Sequence, residues 1–209
     1  MLSPAASRTW LAILIVALLG LIIALFVMGR GGNSFANTSG PNISISDPSI
    51  GSATPTVTVF HYANVSCANC SSVHVSLLSI LDQYPEDMLL VWKDFQSTTL
   101  HPEATYAAAA ARCADDQEAF WPFVDKLFAS PGNLTTSAFL SIAESLELKS
   151  GAFERCVSRD RHLGLVDAAQ AEGEGLSITA TPTVYINGDR YTGARSQIEL
   201  RNLIQSYLP

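Results

Sequence analysis

The chain has 209 residues and a formal net charge of -7, with 19 acidic against 12 basic side chains, which excludes a basic nucleic-acid footprint. Once an apolar N-terminal run and a polar stretch behind it are set aside, about 150 residues remain, the size of one domain. Trp92, Trp121 and a spread of Phe and Tyr supply that domain with a core.

The first element is the uncharged run Leu11 to Met28. Its roughly 18 residues would span about 27 Å as a helix, enough for a hydrocarbon core. Arg8 and Arg30 flank it almost symmetrically, so charge sets its orientation weakly. We read residues 1–30 as a signal-anchor with the N-terminus inside. The alternative is a cleaved signal peptide, for which Ser34-Phe35-Ala36 offers small residues. Residues 31–55 turn to Gly, Ser, Asn, Pro and Thr, the composition of a flexible linker. Residues 56–209 form the folded domain.

Thr56 to Tyr62 is rich in β-branched and aromatic residues behind Pro55 and is predicted as a strand. Ser71 to Leu81 carries Val73, Leu77, Leu78 and Leu81 at helical spacing. Met88 to Phe95 returns to strand character, completing a strand-helix-strand unit with a right-handed crossover. Helical patterns then dominate from about 102 to 175: Ala104 to Ala114, Phe120 to Phe128, Ser137 to Leu148 and Ala152 to Ala171. Thr183 to Ile186 and Arg190 to Gly193 flank Asn187-Gly188 as a hairpin. A last helix starts at Ser196, where Ser196 and Glu199 have capping-box spacing and Ile198, Leu200, Leu203, Ile204 and Leu208 form the buried side.

Chemistry concentrates at Cys67-Ala68-Asn69-Cys70, on a strand-to-helix junction. Two cysteines at this spacing close a small reversible disulfide, and a helix N-terminus favours negative charge on the first sulfur. Cys67 is then the nucleophile and Cys70, one turn in, the resolving thiol. The same spacing also supplies half of a zinc site, but the other two cysteines, Cys113 and Cys156, lie far apart in separate predicted helices, and no metal is expected. An even cysteine count beside an export signal reads as two disulfides. A Cys113–Cys156 bridge would tie two helices and stabilise by about 4 kcal/mol in the chain-entropy view; two free buried thiols are the alternative.

Taken together, the strand into Cys67-Ala68-Asn69-Cys70, the segment Val91-Trp92-Lys93-Asp94-Phe95 with His101-Pro102-Glu103-Ala104 after it, and Thr181-Pro182 before a strand and an Asn-Gly turn resemble the DsbA-like members of the thioredoxin superfamily. The likeness covers roughly Thr56 to Leu208. It implies an α/β thioredoxin-like fold with an inserted helical subdomain, here preceded by the N-terminal transmembrane helix. It further implies a cis bond at Thr181-Pro182, on a loop whose backbone holds the substrate chain.

Two departures stand out. His61 occupies the place, six before the first cysteine, where many relatives carry an acid, which makes it a candidate for proton transfer or simply a packed strand residue. The dipeptide Ala68-Asn69 lacks the histidine of the strongly oxidising site. His74 reads as a solvated helix residue, and Phe120, Trp121, Phe123 and Phe128 read as packing of the insertion.

The function this supports is thiol-disulfide exchange with exported proteins on the extracytoplasmic side of a membrane, with a membrane redox partner for recycling. The redox centre is the disulfide itself, so no cofactor is expected. A reductase or isomerase is the alternative on the same residues, and a non-catalytic peptide-binding domain is a further one.

Overall fold

A strand of seven residues with β-branched and aromatic side chains on both faces is a buried central strand, and that is the place of β2 (Val57–Ala63). In the computed structural model, which describes residues 40–96 and 102–208, β2 pairs in parallel with β3 (Met88–Asp94) and antiparallel with β4 (Thr183–Ile186). The short β1 (Ser49–Gly51) adds antiparallel to β3. On the far side β5 (Asp189–Thr192) pairs antiparallel with β4, giving the order β1-β3-β2-β4-β5.

The crossover between β2 and β3 is α1 (Ala68–Leu81). Among the described residues, five helices lie between β3 and β4: α2 (Glu103–Asp115), α3 (Phe120–Ala129), α4 (Thr136–Ser145), α5 (Ser150–Val157) and α6 (Leu163–Gly175). The chain ends in α7 (Gln197–Gln205), which opens with the capping box of Ser196 and Glu199.

Alternation along the strands sorts the core into layers. Val57 and Val59 of β2, with Met88 and Leu90 of β3, pack under Val73, Leu77 and Ile80 of α1 and Leu200 and Ile204 of α7. Phe60 and Tyr62 point the other way and join Val91 and Tyr185. There α6 comes close to the sheet at Gly173, where a Cβ would fall 2.5 Å from the Phe95 ring. Only glycine lets the helix approach that far. In the β4–β5 turn, Asn187 and Gly188 both take positive φ, as a two-residue hairpin requires.

The helical subdomain is built around small residues. Ala107, Ala110, Ala111 and Ala114 of α2 let it nest against Phe120, Phe123, Phe139 and Phe153, and Trp92 of β3 closes this core from the sheet side. Arg112 of α2 donates from Nε to Asp94 Oδ2 at 2.6 Å, with both side chains almost wholly buried. The same arginine donates from Nη1 to Ser46 O at 2.7 Å. Lys93, also buried, meets Asp47 at 2.7 Å and Glu172 at 2.6 Å, and donates to Asn42 O.

Three expectations are corrected. The stretch 31–55 is not a tether over its described part, because residues 42–51 are docked by Lys93, Arg112 and the β1 pairing. Residues 31–39 and the anchor expected at 1–30 lie outside the described residues. Among those described, no helix is long and apolar enough to cross a membrane. The helix expected over 152–171 is two, broken after Val157, where Asp160 takes positive φ and Arg161 N bonds back to Cys156 O. Ile198 on α7 is exposed rather than buried, while Leu200 and Ile204, with Leu203 and Leu208 beside them, pack against α1 and the sheet.

Arg112→Ala leaves the Asp94 carboxylate buried without its cation. Such a loss costs about 3–5 kcal/mol, which urea unfolding of the variant against the parent chain is expected to show.

Candidate functional site

Cys67 leads α1 as its N-cap residue. Its backbone is extended (φ -96°, ψ 114°), and its sulfur accepts from the Cys70 amide at 3.2 Å. The turn before it is set by Asn64, a buried residue whose carbonyl accepts from Cys67 N at 3.0 Å and whose Oδ1 accepts from Ser66 N and Ser66 Oγ. Both cysteines are present as free thiols, Cys67 half-buried and Cys70 fully buried.

The electrostatics separate the two sulfurs. The Cys67 thiol is pushed down to about 6, first by the hydrogen bond from the Cys70 thiol and then by backbone amides of the first turn, against the opposing effect of partial burial. Burial pushes Cys70 strongly up, and the neighbouring Cys67 adds to it. At neutral pH the first sulfur is therefore a thiolate held by the helix terminus, and the second keeps its proton.

Opposite the pair, the Thr181–Pro182 peptide bond is cis. Thr181 O lies 3.9 Å from Cys67 Sγ, so the loop before β4 presents a backbone acceptor beside the reactive sulfur. A cavity of about 120 Å³ opens at Cys67 between Val65, Ala68, Ser71 and the ring of Phe128. Ala68 and Asn69 form the first turn of α1 and are exposed or partly so; neither brings a cation to the thiolate.

His61 is buried on β2, edge-on to Trp92 at 5.4 Å. Neither ring nitrogen has a hydrogen-bond partner. Burial, with His74 nearby, holds its pKa down at about 3, so the ring is neutral and only weakly basic at physiological pH.

His74 is not the solvated residue expected from its helical position. It is fully buried, stacked on Trp121 and edge-on to Trp92, with Nε2 2.8 Å from Asp125 Oδ1. Helical periodicity alone could not show that α3 would cover this side of α1. Asn64, His74 and Phe128 thus belong to the surroundings of the thiols, and the sequence carries no local signal for them beyond the short spacing of Asn64 from Cys67. Cys113 and Cys156, by contrast, are joined in a disulfide between α2 and α5 of the insertion.

The family model described as thioredoxin matches residues 44–206. The chain belongs to the thioredoxin family. Its fold is that of the DsbA-like structures: it superposes on BdbD from Bacillus subtilis with a TM-score of 0.70 at 19% identity, covering 81% of this chain and 97% of that one. For alpha-DsbA1 from Wolbachia pipientis the values are 0.69 and 22%, covering 79% and 92%. Curated relatives include the Na+/H+ antiporter NhaA 1 of Salinispora arenicola, 34% identical over 139 residues, and NhaA 3 of Salinispora tropica, 32% identical over 137 residues. Each match covers 66% of this chain and 21% of the antiporter, so the chain spans about a fifth of the length of these proteins.

Two measurements follow from the thiol environments. Alkylation of reduced Cys67 by iodoacetamide should rise with pH through a midpoint near 6, whereas an ordinary thiol reacts with a midpoint of about 8.5. His61→Leu removes two unpartnered buried nitrogens, so unfolding free energy should not fall by more than about 1 kcal/mol. A general acid-base role would instead show as an exchange rate lowered about a hundredfold or more, and the expected rate stays within about threefold of the parent.

Proposed function

We propose that the chain is a thiol-disulfide oxidoreductase acting through Cys67 and Cys70, which passes its disulfide to thiols of exported proteins. The observation that carries this reading is the division of labour between the two sulfurs, one a half-exposed thiolate on a helix terminus, the other buried and protonated.

In the oxidised form a substrate thiolate attacks Cys67 Sγ and the Cys67–Cys70 bond breaks. Cys70 leaves with the electron pair and takes up a proton. A second substrate thiolate then attacks the substrate sulfur of the mixed disulfide and Cys67 departs as the thiolate. Two electrons pass from the substrate dithiol to the enzyme pair, and the substrate holds the new disulfide. Thr181 O and the cis-proline loop offer backbone pairing to the substrate chain during the mixed-disulfide stage. The redox group is the cysteine pair itself, without an added cofactor.

The same thiolate supports the oxidising direction. Stabilising the reduced form makes a disulfide a better oxidant, and a Cys67 pKa near 6 stabilises the reduced form at neutral pH. Ala68-Asn69 gives no cationic side chain to push this further. A second reading, a reductase or isomerase, would use these residues at a lower potential.

Proposed with this function is a location on the extracytoplasmic side, tethered by the apolar segment before residue 30 or released after its cleavage, with a membrane protein reoxidising the pair. The transport activity named for the antiporter relatives is not carried over, because the match spans only about a fifth of them.

The test is the equilibrium potential of the Cys67/Cys70 pair against glutathione in a chain carrying Cys113→Ala/Cys156→Ala. A potential at or above about -210 mV supports disulfide donation, whereas one near -270 mV assigns the chain to the reductases. In parallel, Cys70→Ser is expected to accumulate mixed disulfides with exported proteins, and Cys67→Ser to accumulate none.

A further inference from the structure

The second cysteine pair has neighbours that a structural disulfide does not require. Cys113 lies in the last turn of α2, and Asp116 is the C-cap of the same helix. Cys156 lies in the last turn of α5 and His162 stands at the N-cap of α6. The break between α5 and α6 turns the chain back so that His162 reaches the end of α2. The sulfurs of Cys113 and Cys156 and a ring nitrogen of His162 all lie within 4.8 Å of one another. Asp116 Oδ2 is 3.1 Å from His162 Nε2 and 3.8 Å from Cys156 Sγ.

Cys113, Cys156 and His162 form the close set; Asp116 stands beside it, and its 3.1 and 3.8 Å separations from His162 and Cys156 are close to the edges of a tetrahedron around zinc. With zinc-sulfur bonds of about 2.3 Å and zinc-nitrogen or zinc-oxygen bonds of about 2.0–2.1 Å, ligand atoms sit roughly 3.3 to 3.8 Å apart. The nitrogen-oxygen and sulfur-oxygen edges are already near that spacing. What is missing is two free thiolates, because a disulfide sulfur is a poor ligand and the two sulfurs must part to about 3.8 Å.

We propose that reduction of the Cys113–Cys156 disulfide creates a zinc-type site from Cys113, Cys156, His162 and Asp116, so that this region exchanges a covalent tie for a metal tie. A dithiol reductant gives two electrons and two protons to the disulfide and is itself oxidised to a disulfide. Zinc then displaces the two thiol protons and is held by two thiolates, a neutral imidazole and a carboxylate. Cys113 borders two cavities of about 250 and 380 Å³ that lead to the surface, which gives reductant and ion a way in. The assembled site has one net negative charge. Arg161, 3.3 Å from Asp116, and Lys149, bordering the same cavity, stand ready to balance it.

The inference is independent of the exchange chemistry at Cys67, and its test removes that pair. The full chain with Cys67→Ser/Cys70→Ser is reduced in the presence of zinc or cobalt. One equivalent of cobalt is expected per reduced chain, with the thiolate-to-cobalt charge-transfer band and the visible bands of a tetrahedral ion, and none per oxidised chain. Zinc should raise the thermal midpoint of the reduced chain and leave that of the oxidised chain unchanged. His162→Ala, and separately Asp116→Asn, should weaken cobalt binding by about tenfold or more. The proposal is overturned if the reduced chain binds no cobalt, if it unfolds on reduction despite excess zinc, or if both substitutions leave affinity and spectrum unchanged.

Discussion

Asp94 sits at the C-terminal end of β3, where three parts of the chain converge on one buried ion pair. Its Oδ1 accepts from Trp92 Nε1 at 2.7 Å and its Oδ2 from Arg112 Nε. Arg112 in turn bonds the carbonyl of Ser46. The sheet, the helical insertion and the segment before β1 are therefore joined through a charge that water does not reach. A buried pair of this kind contributes little net stability over an apolar replacement, but it is costly to break and admits few alternative geometries. The consequence is orientation. Trp92 is held by its indole N–H, and its ring contacts His61, His74, Phe120 and Phe128, the last of which lines the cavity at Cys67.

The reactive sulfur needs little further machinery. No cationic side chain in the dipeptide stabilises the Cys67 thiolate. Most of the stabilisation comes from the Cys70 thiol and the amides at the start of α1, with a further contribution from Thr181 on the loop before β4. The thiolate is thus chiefly a property of the strand-to-helix junction. His61 fits the same view. An ionisable side chain at this position is kept neutral by burial, so it adds no charge to the core around Trp92.

Much of this was legible in the sequence. The β-branched and aromatic run of β2, the Cys67-to-Cys70 spacing, the Ala-rich run of α2, the Asn187-Gly188 turn and the Ser196 capping box each rest on interactions within a few residues. What escaped depends on contacts distant in the chain. His74 carries no sign that α3, some fifty positions on, will bury it. The Gly, Ser and Pro composition of residues 40–55 looks like a tether because the groups that dock it, Lys93, Arg112 and Glu172, come from β3, α2 and α6. The break after Val157 hides inside a helical pattern, since Arg159, Asp160 and Arg161 are as compatible with an exposed helix face as with a turn.

The two cysteine pairs show how one chemical group acquires two roles from its connectivity. Cys67 and Cys70 share a single helix turn, so opening or closing their bond disturbs no contact between elements, and the thiolate released is stabilised where it stands. Cys113 and Cys156 belong to α2 and α5, 43 residues apart in the chain, and opening their bond removes the covalent tie between two helices that otherwise meet through the apolar core of the insertion. The first pair is thus suited to cycling and the second to persistence. A persistent tie in a domain whose work is to exchange disulfides is exposed to the same dithiols it encounters. The carboxylate and imidazole already gathered at the second pair would let a metal ion keep α2 and α5 together after the covalent bond is lost.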